Sequence, residues 1–231
     1  RYVKELALRC EYVSAFDLSD AVIDAYLDRI VTKNIAYVMG YAASLYLIAK
    51  RAAERRVKVA LKGVVSWGDN MFPAYRKCIE SQFGCRVTDT YGCSEGIQIA
   101  AQCGAGHGGY HIFAPHVLIE LERGGSPVQR GESGEVVITK LSAGAMPMIR
   151  YEIGDLARAS MIDTCDCGRH WPMLQAVDGR SSDVVVTPRG NRLIVHFFTG
   201  IFEYARSIAS FQVVQESRDS IIVRIVPNGA L

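Results

Sequence analysis

The sequence lacks any apolar run approaching the ~20 residues that a bilayer-crossing helix needs, so no membrane span is expected. It also lacks charge of one dominant sign: 26 Lys and Arg stand against 24 Asp and Glu, a formal charge of +2. That balance gives no reason to expect nucleic acid or an anionic surface as a partner. The only compact basic group, Arg51, Arg55 and Arg56, falls on one expected helix and reads as its solvated face. There is no internal repeat, low-complexity tract or secretory leader. The chain starts at Arg1 rather than methionine and reads as part of something longer. The seven cysteines are odd in number, and the tight Cys165/Cys167 spacing suits metal ligation better than a disulfide framework. A reducing, cytoplasmic setting is therefore expected.

Rival chemistries are missing too. Gly104 to Gly109 is rich in glycine, yet no Gly-Lys-Ser/Thr follows to make a phosphate loop. A zinc deaminase would need His-x-Glu with Cys-x-x-Cys, both absent. No Gly-x-Ser-x-Gly nucleophile elbow of a hydrolase is expected either.

What is present is a globular composition, 49% hydrophobic and 22% charged, long enough for one to two domains. Ser19-Asp20 reads as a helix start, with Val22, Ile23, Tyr26, Leu27 and Ile30 at helical spacing. A second helix is expected over about 42–55, a buried strand over 57–67, a helix over 71–83 closed by Gly84, and a short strand over 86–90. This strand–helix–strand unit delivers Tyr91 to a strand end, where open α/β sheets bind ligands. Beyond about residue 116, short strands over 117–122, 135–141, 174–178 and 183–187 suggest a β-rich layer. A small α+β tail follows: strand 193–196, helix 197–208, strands 211–215 and 221–226.

Three strings stand along this frame: Tyr91-Gly92-Cys93-Ser94-Glu95, Arg150-Tyr151-Glu152-Ile153-Gly154-Asp155 and Gly179-Arg180-Ser181-Ser182-Asp183. An adenylation site must hold adenine, ribose, a triphosphate with its metal, and a carboxylate placed for in-line attack. Tyr91 offers a face for adenine, and Glu95 a carboxylate for Mg²⁺. Asp155, on a turn after Gly154, can accept both ribose hydroxyls; Arg180 can neutralise phosphate charge. Singly, each string has an ordinary reading: a strand exit, a turn aspartate, a surface ion pair of Arg180 with Asp183.

In this order and with their flanks, the strings resemble the adenylate-forming acyl-CoA ligases, specifically the phenylacetate-CoA ligase and CapK-like branch. Met146-Pro147-Met148-Ile149-Arg150, Cys165-Asp166-Cys167-Gly168-Arg169 and Gly40-Tyr41-Ala42-Ala43-Ser44-Leu45 add to the likeness, which spans about 12–226. The resemblance implies an α/β fold: residues 1–179 as the C-terminal part of an AMP-binding core with a β-rich subdomain, and 180–231 as a hinge at Asp183 with a partial, mobile C-terminal domain. It implies a cofactor-binding set of Trp67, Gly68, Asp69, Asp89, Tyr91, Gly92, Ser94, Glu95, Asp155 and Arg180, with Glu95 and Arg180 catalytic. Asp69 stands where the family has Glu, which leaves that adenine contact open. The implied reactants are ATP (leaving AMP), Mg²⁺, a small-molecule carboxylate, and coenzyme A or a carrier-protein thiol.

Cys103, His111, Cys165 and Cys167 form a second constellation, since structural zinc takes four Cys or His ligands, often as close pairs. Gly104, Gly106, Gly108 and Gly109 leave the intervening loop free to wrap an ion. The same branch combines a cysteine, a Gly-x-His histidine and a Cys-x-Cys pair, which implies structural Zn²⁺ here. His107 competes with His111, and reduced cysteines without metal are the plain alternative. Cys10, Cys78, Cys85 and Cys93 read as packing residues.

Two family elements have no counterpart: the Ser/Thr/Gly-rich triphosphate loop, and a catalytic lysine expected beyond Leu231. The 231 residues are therefore expected to be nearly inactive alone. The alternative is a zinc-stapled nucleotide-binding module without ligase activity, serving polysaccharide assembly.

Overall fold

A computed structural model of the chain describes residues 10–228 apart from 16, 106, 107, 143, 145, 194, 203, 204 and 206. Two compact units emerge, residues 1–90 and 91–231.

The first unit runs α1 (Asp20–Thr32), β1 (Tyr37–Tyr41), α2 (Ala42–Glu54), β2 (Gly63–Trp67), α3 (Pro73–Phe83) and the opening residues of β3 (Val87–Cys93). The three strands are parallel, with Val38 opposite Val64 and Val65 opposite Thr88. Pro73 begins α3, where its missing N–H costs nothing. Ile23 and Leu27 of α1, Leu45, Ile48, Ala49 and Ala52 of α2, and Ile79 and Phe83 of α3 close one core over Val64 and Val87. Strand β2 is shorter than its apolar run: Val59 and Leu61 are buried, but Leu61 N–H bonds the Phe83 carbonyl and Lys62 N–H that of Ala36. Arg51 and Arg55, expected to face water, bridge α2 to α1 instead. Arg51 grips both carboxylate oxygens of Asp24 at 2.8 and 2.9 Å, holding that carboxyl below its ordinary range.

The second unit is built on antiparallel strands in the order β4-β5-β10-β9-β8-β6-β7. They are β4 (Ile97–Gln102), β5 (Tyr110–Ile112), β6 (Val117–Arg123), β7 (Ser126–Pro127), β8 (Ser133–Lys140), β9 (Tyr151–Ala159) and β10 (Met173–Arg180). Ile99, Ile112, Val117, Val136, Ile138, Ala157 and Leu174 fill its core with Tyr91. After β10 come β11 (Val185–Val186), β12 (Arg192–Leu193), α4 (Val195–Phe202) and the hairpin β13 (Ile208–Ser217) and β14 (Ser220–Pro227). The tail helix thus starts and ends earlier than expected. The Gln215 amide donates to the Val186 carbonyl and accepts from its N–H, both at 2.8 Å, tying β13 to β11.

Two irregularities decide where the site residues point. Between the β8–β9 pairs Glu135–Leu156 and Val137–Glu152, three residues of β9 stand against one of β8. They are Ile153, Gly154 and Asp155, so Asp155 lies in a strand bulge rather than on the expected turn. Strand β10 bulges between Val177 and Gly179, and this offset sets Arg180 opposite Asp155. Bulges of this kind re-aim side chains. No helix among the described residues is long and apolar enough to cross a membrane.

Candidate functional site

The carboxyl ends of β1 and β2 set Tyr41 and Trp67 in register, each 37% exposed. Gly68 follows at φ 77°, and a Cβ there would lie 2.7 Å from the Tyr41 ring, so only glycine fits. Asp69 turns toward the start of α2, its carboxylate 3.4 Å from the Ala43 amide, where a helix N-terminus favours negative charge. Asp89 is buried and accepts a hydrogen bond from the Ser66 hydroxyl, while the Thr90 hydroxyl caps the Ser66 carbonyl at 2.8 Å. These contacts tie β2 to β3.

In the second unit the three strings converge. Strand β3 runs through Tyr91 to Cys93, past the expected strand end. The Tyr91 ring is buried and its hydroxyl donates to Asp155 Oδ2 at 2.9 Å. Arg180 Nε stands 3.2 Å from Asp155 Oδ1, and Arg180 Nη1 donates to the Ile153 carbonyl at 3.0 Å. The Ser181 N–H and hydroxyl both bond the Gly154 carbonyl, at 2.9 and 3.1 Å. Burial pushes the Asp155 carboxyl up, against the Tyr91 hydrogen bond and the Arg180 charge that pull it down. Burial also pushes the Tyr91 phenol up, so it stays a donor. The ordinary reading of Arg180, a surface ion pair with Asp183, is not what forms: its guanidinium pairs with Asp155.

Gly92 sits where β3 leads into the turn to β4. A Cβ there would lie 2.9 Å from the Ile97 carbonyl oxygen, which explains a glycine inside a functional string. Ser94 and Glu95 are exposed on that turn. The letters Gly92-Cys93-Ser94-Glu95-Gly96 do spell Gly-x-Ser-x-Gly, which the sequence reading passed over. A nucleophile elbow needs a strand-to-helix turn, and here a strand follows, so no elbow forms. Glu95 Oε1 accepts the Tyr151 hydroxyl at 2.9 Å. Hydrogen bonds, first from the Cys93 thiol and then from its own backbone and Tyr151, hold Glu95 below the ordinary carboxylate range. Beside this turn lies a cavity of about 450 Å³ walled by Ile97, Phe113, Gln98, His116, Lys140 and Ser142.

The Cys and His constellation is assembled. Cys103, His111, Cys165 and Cys167 bring one ligand atom each to within 4.8 Å of one another. Cys103 and Cys165 sulfurs are 3.5 Å apart, and His111 Nε2 is 3.2 Å from Cys167 Sγ. Tetrahedral zinc at its usual bond lengths would separate its sulfurs by about 3.8 Å. The Arg169 and Cys165 neighbours draw the Cys167 thiol down to about 6, whereas burial lifts Cys165 to about 11. His111 Nδ1 is buried with no hydrogen-bond partner among the described residues. His107 lies outside the described residues.

Tyr151 and Arg150 are the residues the sequence reading left without a role, although both stand inside a quoted string. Arg150 adopts φ 48°, rare for a side-chain-bearing residue.

No protein-family model matches the chain. A phenylacetate-coenzyme A ligase of Thermus thermophilus is 31% identical over 169 residues, covering 71% of this chain and 37% of that protein. A phenylacetate-coenzyme A ligase of Escherichia coli is 31% identical over 134 residues, covering 56% of this chain and 29% of its own length. The stretch matched is thus about a third of those relatives. Among solved structures, 2-hydroxyisobutyryl-CoA ligase in complex with R3-HIB-AMP superposes with a TM-score of 0.75 at 22% identity, covering 89% of this chain and 46% of that one. The O-succinylbenzoate coenzyme A synthetase of Bacillus subtilis with AMP gives 0.66 at 14% identity, over 90% and 44%. At these identities the structures speak for the fold, and the curated relatives for descent. The chain is a homologue of part of the phenylacetate-coenzyme A ligases, built on the fold of the adenylate-forming enzymes.

Proposed function

We propose that these residues carry the ribose and metal side of the nucleotide site in an AMP-forming acid–thiol ligase. The observation that supports this most is the convergence on Asp155: Tyr91 from one string and Arg180 from another hold the carboxylate of the third. A carboxylate has about four lone-pair sites, and these contacts take one on each oxygen. Two remain for a vicinal diol, so the acid is already oriented for ribose.

In the first half-reaction the substrate carboxylate attacks the α-phosphorus of ATP; the bond to pyrophosphate breaks and acyl-AMP forms. In the second, a thiol loses its proton to solvent and the thiolate attacks the acyl carbon; the carbon–oxygen bond to phosphate breaks and AMP leaves. Asp155 orients the ribose, and Arg180 balances charge on the nucleotide side. Glu95, exposed and ionised, would share Mg²⁺ with phosphate oxygens; the ion would neutralise polyphosphate charge. The cavity beside Ile97 and Phe113 offers an apolar wall to an acyl group. Asp183, just past the fixed end of β10, is the proposed hinge between the halves of the cycle.

We further infer that Cys103, His111, Cys165 and Cys167 hold zinc structurally. Three thiols and one imidazole this close suit such an ion, and four protein ligands leave no position for reacting water.

The test is ATP–pyrophosphate exchange by the protein at its natural length against a panel of aryl and alkyl acids. Exchange that depends on the acid supports the ligase; no exchange from folded, zinc-loaded protein would favour the binding module.

A further inference from the structure

Glu95 stands exposed on a three-residue turn. Two side chains reach its carboxylate: the Cys93 thiol, from the strand that leads into the turn, and the Tyr151 hydroxyl at 2.9 Å, from a strand distant in sequence. Tyr151 opens β9, where it pairs with Ile138 of β8. The residue before it, Arg150, sits in left-handed backbone at φ 48°, a conformation that disfavours side chains and persists when its surroundings enforce it. The enforcement is visible. The Arg150 N–H donates to the Thr139 hydroxyl at 3.0 Å. Its guanidinium spans two acids on β6, donating to Glu120 and, at 2.6 Å, to Glu122. Those acids lie two apart on one strand and so share a face. The clamp decides where the backbone enters β9, and thereby where the phenol of the next residue stands.

We propose that Tyr151 is a positioning residue for Glu95, aimed by the strained and clamped Arg150. The phenol removes the rotational freedom of an exposed carboxylate and leaves it facing the polyphosphate metal. This rests on the reading of Glu95 as the metal-binding acid, and the experiment separates the two. Mn²⁺ replaces Mg²⁺, and bound Mn²⁺ is measured by electron paramagnetic resonance on the natural-length protein saturated with α,β-methylene-ATP. Tyr151→Phe is expected to weaken Mn²⁺ by about tenfold, the usual scale for losing an outer-shell partner. Its unfolding temperature should hold, because the ring is 41% exposed. In turnover, the Mg²⁺ concentration for half-maximal rate should rise more than kcat falls. Arg150→Gly keeps the backbone permitted but removes the clamp, and should give a smaller loss, about threefold.

If Glu95→Gln weakens Mn²⁺ and Tyr151→Phe does not, the positioning role is overturned while the ligase reading stands. If Glu95→Gln itself leaves Mn²⁺ binding intact, the metal role of Glu95 falls first and takes this inference with it. Wild-type Mn²⁺ affinity in Arg150→Gly would overturn the clamp alone.

Discussion

The two clusters of the second unit solve opposite problems. Around Asp155 the protein supplies its own neutralisation: a phenol and a guanidinium face the carboxylate, and the Ile153 carbonyl holds the guanidinium in turn. Around Cys165 it supplies crowding instead, with three sulfurs and an imidazole packed together. The first cluster is complete as it stands and still has lone pairs to offer. The second gains its reason from what it would bind. A site for a ligand that comes and goes must persist between visits, whereas a site for a resident ion can be built around that ion.

The sharpest way to break this contrast is to remove the ion. Chelation, or Cys165→Ala, should lower the unfolding temperature by about 10 °C, as loss of several kcal/mol does in a chain of this size. Metal analysis of the purified protein should give about one zinc per chain. Loss of rate at unchanged stability would mean a catalytic metal and erase the distinction drawn here. Next in size, Asp155→Ala should raise the KM for ATP about tenfold, the loss of a charge-assisted pair of hydrogen bonds. An unchanged KM would remove Asp155 from the ribose.

Smaller in effect, Tyr91→Phe should cost about 1 kcal/mol of stability, the worth of one buried hydroxyl bond, and lower the unfolding temperature by about 2–4 °C. It should leave zinc content alone. The pH dependence runs the same way as the burial. Ribose binding needs Asp155 ionised, and its pKa is raised, so nucleotide affinity should fade on acidification above the pH at which an ordinary aspartate protonates. Calorimetric titration with ATP across that range would show it; a decline confined to the ordinary carboxylate range would contradict the burial. Smallest of all, Arg130→Ala removes a pair with Asp163 whose side chains are 60% and 70% exposed. It should cost well under about 1 kcal/mol and mark what an ion pair is worth when water surrounds it.

How far the sequence went differs between these clusters as well. The cysteine and histidine set was legible as a group, with His107 open against His111, because ligand chemistry restricts which side chains can serve; the fold does bring Cys103, His111, Cys165 and Cys167 together. The nucleotide strings were legible as strings but not as geometry. Arg180 meets Asp155 because β10 slips twice against β9, after Leu174 and again before Gly179, and nothing local announces either slip. The sequence made Asp155 a turn residue from the glycine before it; pairing with β8 and β10 absorbed that glycine into a bulge instead. Strands β1 and β9 went unnoticed because glycine interrupts Tyr37–Tyr41, and glycine and charge interrupt Tyr151–Ala159, so neither shows a continuous apolar or alternating run. Helices α1 to α3 announced themselves, since their apolar stripes, Pro73 and Gly84 are local signals.

The two hydrogen bonds from Ser181 to the Gly154 carbonyl carry a last consequence. They work as a clamp sleeve does where a cable enters a plug. Any bending of the segment proposed to swing begins past the sleeve, at Ser182 and Asp183, and its torque is handed to β9 at Gly154, one peptide bond from Asp155. The proposed nucleotide anchor and the proposed hinge are thereby mechanically joined through β9 and Arg180.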